Sequence, residues 1–162
     1  MKKLFFLILL LNPFVFKAFS GTTATVDMNL TISTVNEIAF TETAGGITLD
    51  ITTATAGSEP DPATDTGDYG ISTNDTTAAI LCKYSTAGPS AGTLSITLTA
   101  PTASGTSAGA VEITVADANL VTAISNTAES TIGSSYSYAA TLSEGSMTQE
   151  TCEITYTLGT AV

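Results

Sequence analysis

From Ala24 to Ser33 the chain alternates apolar and polar residues without a break: Ala24, Val26, Met28, Leu30 and Ile32 against Thr25, Asp27, Asn29, Thr31 and Ser33. A period of two puts the apolar set on one face of a strand, and no helix tolerates it. The same period returns in Ile47/Leu49/Ile51, Leu94/Ile96/Leu98, Val111/Ile113/Val115 and Cys152/Ile154/Tyr156/Leu158. Helical spacing is nowhere sustained, and abundant Thr favours strands. The chain is therefore expected to be all-β.

Further strands are expected over Val35–Phe40, Tyr69–Thr73, Ala78–Ser85, Leu120–Ile124 and the run holding Tyr136, Tyr138, Ala140 and Leu142. Turn signals separate them: Gly45-Gly46, Asn74-Asp75, Gly88-Pro89, a Gly/Ser/Thr/Ala stretch over Pro101–Gly109, a turn-rich Asn126–Ser134, and Gly145-Ser146. About nine or ten short strands of this kind pack most naturally as a two-sheet antiparallel β-sandwich, immunoglobulin-like in general form. The uneven loops argue against an up-and-down barrel. The regular turns argue against a disordered Thr/Ser-rich stalk.

The amino terminus reads as an export signal over residues 1–20. Met1-Lys2-Lys3 precedes an apolar Leu4–Phe16, and Ala18 and Ser20 supply the small residues before a mature start at Gly21. The apolar run is short for a bilayer span and is broken by Pro13. A retained anchor is the alternative. After cleavage no membrane insertion is expected. The domain plan is then a leader (1–20), an amino-terminal strand (21–33) and a sandwich domain (34–162).

Charge and missing chemistry narrow the function. All 15 acids lie in the mature part, where Lys83 is the only basic side chain, so one positive charge meets fifteen negative ones, a balance of −14. Such a surface repels nucleic acid and anionic lipid. The mature chain has no His, Arg or Trp, which removes nucleophile–His–acid catalysis, His-based zinc sites and Arg-based phosphate handling. No enzyme is expected. Acid pairs could serve glycoside hydrolysis, but aromatic platforms are sparse. Tyr84, Tyr136, Tyr138 and Tyr156 sit in phases that read as core.

Two candidate sites remain. Cys82 and Cys152 share the phase of core residues, and an even cysteine count in an exported chain suggests a disulfide. It would close a loop of about 70 residues, worth roughly 4 kcal/mol. The acidic loop Ala54–Asp68 carries Asp61, Asp65 and Asp68, which could hold Ca²⁺, although their spacing matches no EF-hand and a solvated loop is the default. No other cofactor is expected. Asn29-Leu30-Thr31 and Asn74-Asp75-Thr76 fit a glycosylation acceptor pattern by coincidence.

The layout resembles secreted bacterial β-sandwich fimbrial subunits of the spore-coat-U type. The residues that carry the likeness are the export signal, the Val26–Ile32 alternation followed by Val35-Asn36-Glu37-Ile38-Ala39-Phe40, and the closing Cys152-Glu153-Ile154-Thr155-Tyr156-Thr157-Leu158. The resemblance implies a secreted or cell-surface filament subunit that self-associates by strand donation, helped by a periplasmic chaperone. Val26, Met28, Leu30 and Ile32 would be the anchors of the donated strand. The competing expectation is a monomeric secreted adhesion module that binds carbohydrate or calcium, with Ala24–Ser33 as a strand of its own sandwich.

Overall fold

The computed structural model describes residues 27–41 and 46–162. The expected leader at 1–20 and expected mature start at Gly21, with Ala24, Val26 and Gly45, lie outside the described residues. The chain divides into two units, with the boundary between Ile32 and Ser33.

The second unit is an antiparallel two-sheet sandwich. Among the described residues its strands are β1 (Asn36–Thr41), β2 (Ala63–Thr73), β3 (Ala78–Tyr84), β4 (Thr93–Leu98), β5 (Thr106–Ser107), β6 (Val111–Glu112), β7 (Ala118–Ile124), β8 (Thr127–Ala139) and β9 (Ile154–Thr160). One sheet has the order β1-β2-β8-β4-β6 and the other β5-β7-β3-β9. A single 3₁₀ turn, Leu142–Glu144, is the helical content of the described residues.

Each sheet turns one apolar face inward, as alternation requires. Tyr69 and Ile71 of β2, Ile132 and Tyr136 of β8, and Ile96 and Leu98 of β4 meet Ile80, Cys82 and Tyr84 of β3 and Leu120, Val121 and Ile124 of β7. Tyr69 keeps its buried hydroxyl satisfied by donating to the Thr99 carbonyl at 2.6 Å. Burial pushes that phenol up, with the Glu129 charge adding to the effect. β3, paired on both sides by β7 and β9, is buried on both faces except at Lys83. Lys83 reaches Asp117 at 3.2 Å in an exposed pair of little energetic weight.

The structure departs from the expected strands in several places; β8 ends at Ala139, so Leu142, expected in the same strand as Tyr136 and Tyr138, lies exposed in the 3₁₀ turn. The stretch read as turn-rich, Asn126–Ser134, belongs mostly to β8, the longest strand. Pairing with β2 and β4 on either side recruits it, and a one-residue register shift opposite Gly70 absorbs Thr131 at φ 62°. β2 likewise starts at Ala63, inside the expected acidic loop, because Ala63–Gly67 pair with Ser134–Tyr138 of β8. Ile47, Leu49 and Ile51 keep their half-buried alternation, and Ile47 and Leu49 pack on the core, yet 46–51 joins no strand ladder. Val115 is 63% exposed, since β6 stops at Glu112.

The expected disulfide is corrected: Cys82 and Cys152 are both free. Phase turned both inward, but register separates them. Cys82 lies opposite Tyr156 on β9, and Cys152 comes four residues earlier. That offset is roughly 13 Å along a strand, whereas bonded cysteines need Cα atoms within about 7 Å.

Candidate functional site: an open flank and an exposed arm

The sandwich has two flanks, where the edge strand of one sheet meets that of the other. At one flank the edges are β5 and β6, of two residues each. The chain crosses directly from one sheet to the other between them and seals the gap. The Ser107 hydroxyl on β5 donates to the Leu98 carbonyl on β4 at 2.5 Å, a bond from sheet to sheet. Ala108 N–H donates to Leu120 O and Ile113 N–H to Leu94 O, each at 2.9 Å, and Ile113 is buried.

At the other flank the edges are β1, six residues long, and β9, seven residues long. Among the described residues β1 pairs only with β2 and β9 only with β3. The apolar residues here are half-buried although they touch the core: Ile38 and Phe40 on β1, Ile154, Tyr156 and Leu158 on β9. Phe40 stacks on Tyr156 with ring centroids 3.9 Å apart and on Tyr69 at 5.6 Å. Tyr156 donates its hydroxyl toward that of Tyr136 at 3.4 Å. β9, Ile-Thr-Tyr-Thr-Leu-Gly-Thr, holds no charged residue and no proline. Edge strands normally carry such guards against pairing with another chain.

The first unit supplies a matching feature. Asp27–Ile32 belongs to no strand, and Met28, Leu30 and Ile32 are 76%, 86% and 88% exposed. These are three of the four expected anchors; the fourth, Val26, lies outside the described residues. The alternation that reads as a strand is thus present without a ladder to join. Six residues at strand rise span about 20 Å, close to the length of β9.

The expected calcium ligands are not brought together. Asp61 accepts from the Thr53 hydroxyl at 3.5 Å, outside β2. Asp65 and Asp68 lie three apart in β2 and so point to opposite faces, and Asp65 caps the Thr66 N–H at 2.8 Å. Among the described residues no group of three or more potential metal ligands forms.

A cleft of about 320 Å³ is lined by Glu59, Pro60, Gly92, Thr93, Ala139, Thr141 and Glu144, among others. Its carboxylates are engaged by the protein's own backbone. Glu59 accepts from Leu142 N–H at 2.7 Å, and Glu144 from Thr141 N–H at 2.6 Å and Gly92 N–H at 2.8 Å. These bonds hold the Glu144 carboxyl below its ordinary value. Nearby, the Ser90 hydroxyl and N–H do the same for Glu150. The three carboxylates pin loops at the end of the sandwich where β9 begins.

Comparison with known protein families, curated proteins and solved structures finds no match to this chain. Among the described residues no helix is long and apolar enough to cross a membrane.

Proposed function

We propose that this protein is an exported structural subunit that assembles into an extracellular or cell-surface filament by strand donation, with Asp27–Ile32 of one copy laid along β9 of the next. One observation carries the reading: an exposed, alternating apolar arm coexists with a flank whose two edges are long, one of them uncharged along its whole length, and whose core residues are half-covered among the described residues. Backbone bonds along β9 would supply affinity, and Met28, Leu30 and Ile32 would complete the cover over Ile154, Tyr156 and Leu158. A contact between two different surfaces of identical copies propagates into a filament whenever its rotation does not close a ring. The absence of His, Arg and Trp from the mature sequence fits a structural role over catalysis. The acidic surface, with a balance of −14, disfavours side-to-side clumping and leaves the uncharged edge as the place to join.

The test is electron microscopy and size-exclusion chromatography of residues 21–162 beside a truncation that begins at Ser33. Large assemblies that disappear on truncation, leaving a folded monomer, are expected. A full mature chain that stays monomeric at high concentration sinks the proposal in favour of a monomeric module.

A further inference from the structure

Asn74 stands where β2 ends and the chain turns toward β3. The register of β1 on β2 pairs Asn36 with Thr73, so the next pair is Val35 with Asn74. The backbone supplies one bond there, from Asn74 N–H to Val35 O at 3.2 Å. The side chain supplies the rest. Asn74 Oδ1 accepts from Val35 N–H at 2.8 Å, and Asn74 Nδ2 donates to Ser33 O at 2.8 Å. A carboxamide offers the same acceptor and donor as a peptide group, so Asn74 acts as one more residue of β2 and extends the ladder onto the chain before β1. The turn itself is tied down. Thr73 Oγ1 donates to Asn36 Oδ1 at 2.6 Å, Thr77 N–H to Asp75 Oδ1 at 3.1 Å, and Asn126 N–H to Asp75 O at 2.9 Å.

We infer that Asn74 is a positioning residue that holds Ser33 and Val35, from which the arm springs, in line with β1 and so fixes the direction in which copies join. The inference rests on the strand-donation reading. β1 begins at the end of the sandwich that also holds the last residue of β9, because β3 starts just after this turn and Ala78 pairs with Thr160. An arm continuing β1 beyond that end enters a translated copy at its opposite end, where β9 begins with Ile154 across from Tyr84. The arm then runs antiparallel to β9 of its partner, with Ile32 near Ile154 and Met28 near Leu158. A Ser33–Val35 segment held extended beforehand also has less freedom to lose on docking.

Two experiments test this. A photo-crosslinking residue placed at Met28 or at Ile32 in the full mature chain is expected to mark the Leu158 end and the Ile154 end of β9, respectively. The reverse order overturns the inferred direction. Asn74→Ala is expected to raise the concentration needed for assembly about tenfold at unchanged melting temperature, and to speed amide exchange at Val35. Asn74→Asp, which can accept from Val35 but cannot donate to Ser33, is expected to keep Val35 protected and still weaken assembly. If both variants assemble at the wild-type concentration while the Ser33 truncation does not assemble, the role of Asn74 falls and strand donation stands. A wild-type chain that never assembles overturns both.

Discussion

The two flanks of the sandwich solve the same problem in opposite ways. Both leave sheet edges that must be kept from other chains. At β5 and β6 the chain hops from sheet to sheet within a few residues, its edge strands are too short to template anything, and Ser107 bonds across to β4. At β1 and β9 the edges are long, uncharged on β9, and backed by half-buried aromatic and aliphatic residues. Neither sheet is short of apolar residues, so the difference is one of cover. One flank is sealed by a short crossing of the chain; at the other, among the described residues, the sheets meet through the Phe40–Tyr156 stack and no crossing segment joins them.

The largest effect should come from an inward charge on the open flank. Leu158→Lys is expected to abolish assembly while the monomer stays folded, read by size exclusion and circular dichroism; assemblies that survive it would remove β9 as the receiving edge. On the sealed flank the order reverses. Ile113→Ala empties a buried site and is expected to cost about 2–4 kcal/mol of monomer stability by urea titration, with the assembled state of the surviving folded protein unaltered. Gly105→Ala, also near the sealed flank, forces a side chain into φ 111° with its Cβ 3.2 Å from Val121 Cγ1. It should cost about 1–3 kcal/mol. A neutral result would mean that the sealed flank is looser than its geometry.

Acid should act on the loops at the end of the sandwich where β9 begins. Glu144 and Glu150 have carboxyls held below the ordinary 4.5 by bonds from Thr141, Gly92 and Ser90. A lowered folded-state value means that their stabilisation is present above the unfolded value and is lost as pH falls through the folded one. Melting temperature should therefore decline below about pH 4.5, and Glu144→Gln with Glu150→Gln should flatten that decline. The smallest effect concerns the thiols. Burial, with the Asp117 charge second, pushes Cys82 up to about 12. In the folded protein Cys82 should ignore thiol reagents at pH 8, and mild oxidation should yield no Cys82–Cys152 bond. Recovery of that bond from native protein would contradict the β3–β9 register.

Much of this architecture was legible in residue order. Leu94/Ile96/Leu98 and Ala78–Tyr84 became β4 and β3 because alternation or a continuous apolar run leaves a strand few other ways to be buried. Asn126–Ser134 misled because Ser, Gly and Thr suit turns when nothing lies beside them, and β8 has a partner on each side. Asp65 and Asp68 looked like a loop pair for the same reason, and strand pairing sent them to opposite faces. The arm was visible as a greasy alternating stretch, but the Asn74 grip at its root was not. Its three bonds to Ser33 and Val35 join residues about forty positions apart, and only a folded β2 brings them together.

Sequence by itself determined the period of two, hence sheets, hence two faces to be hidden; it also determined the acidic charge and the lack of His, Arg and Trp in the mature part. Tertiary structure alone decided which cysteine faces which neighbour, which edges are closed by a short crossing and which, among the described residues, pair on one side only. The reason is physical. Side-chain period is local and repeats every two residues along any strand, whereas register and edge cover depend on partners far away in the chain, which no stretch of residues specifies without the others in place.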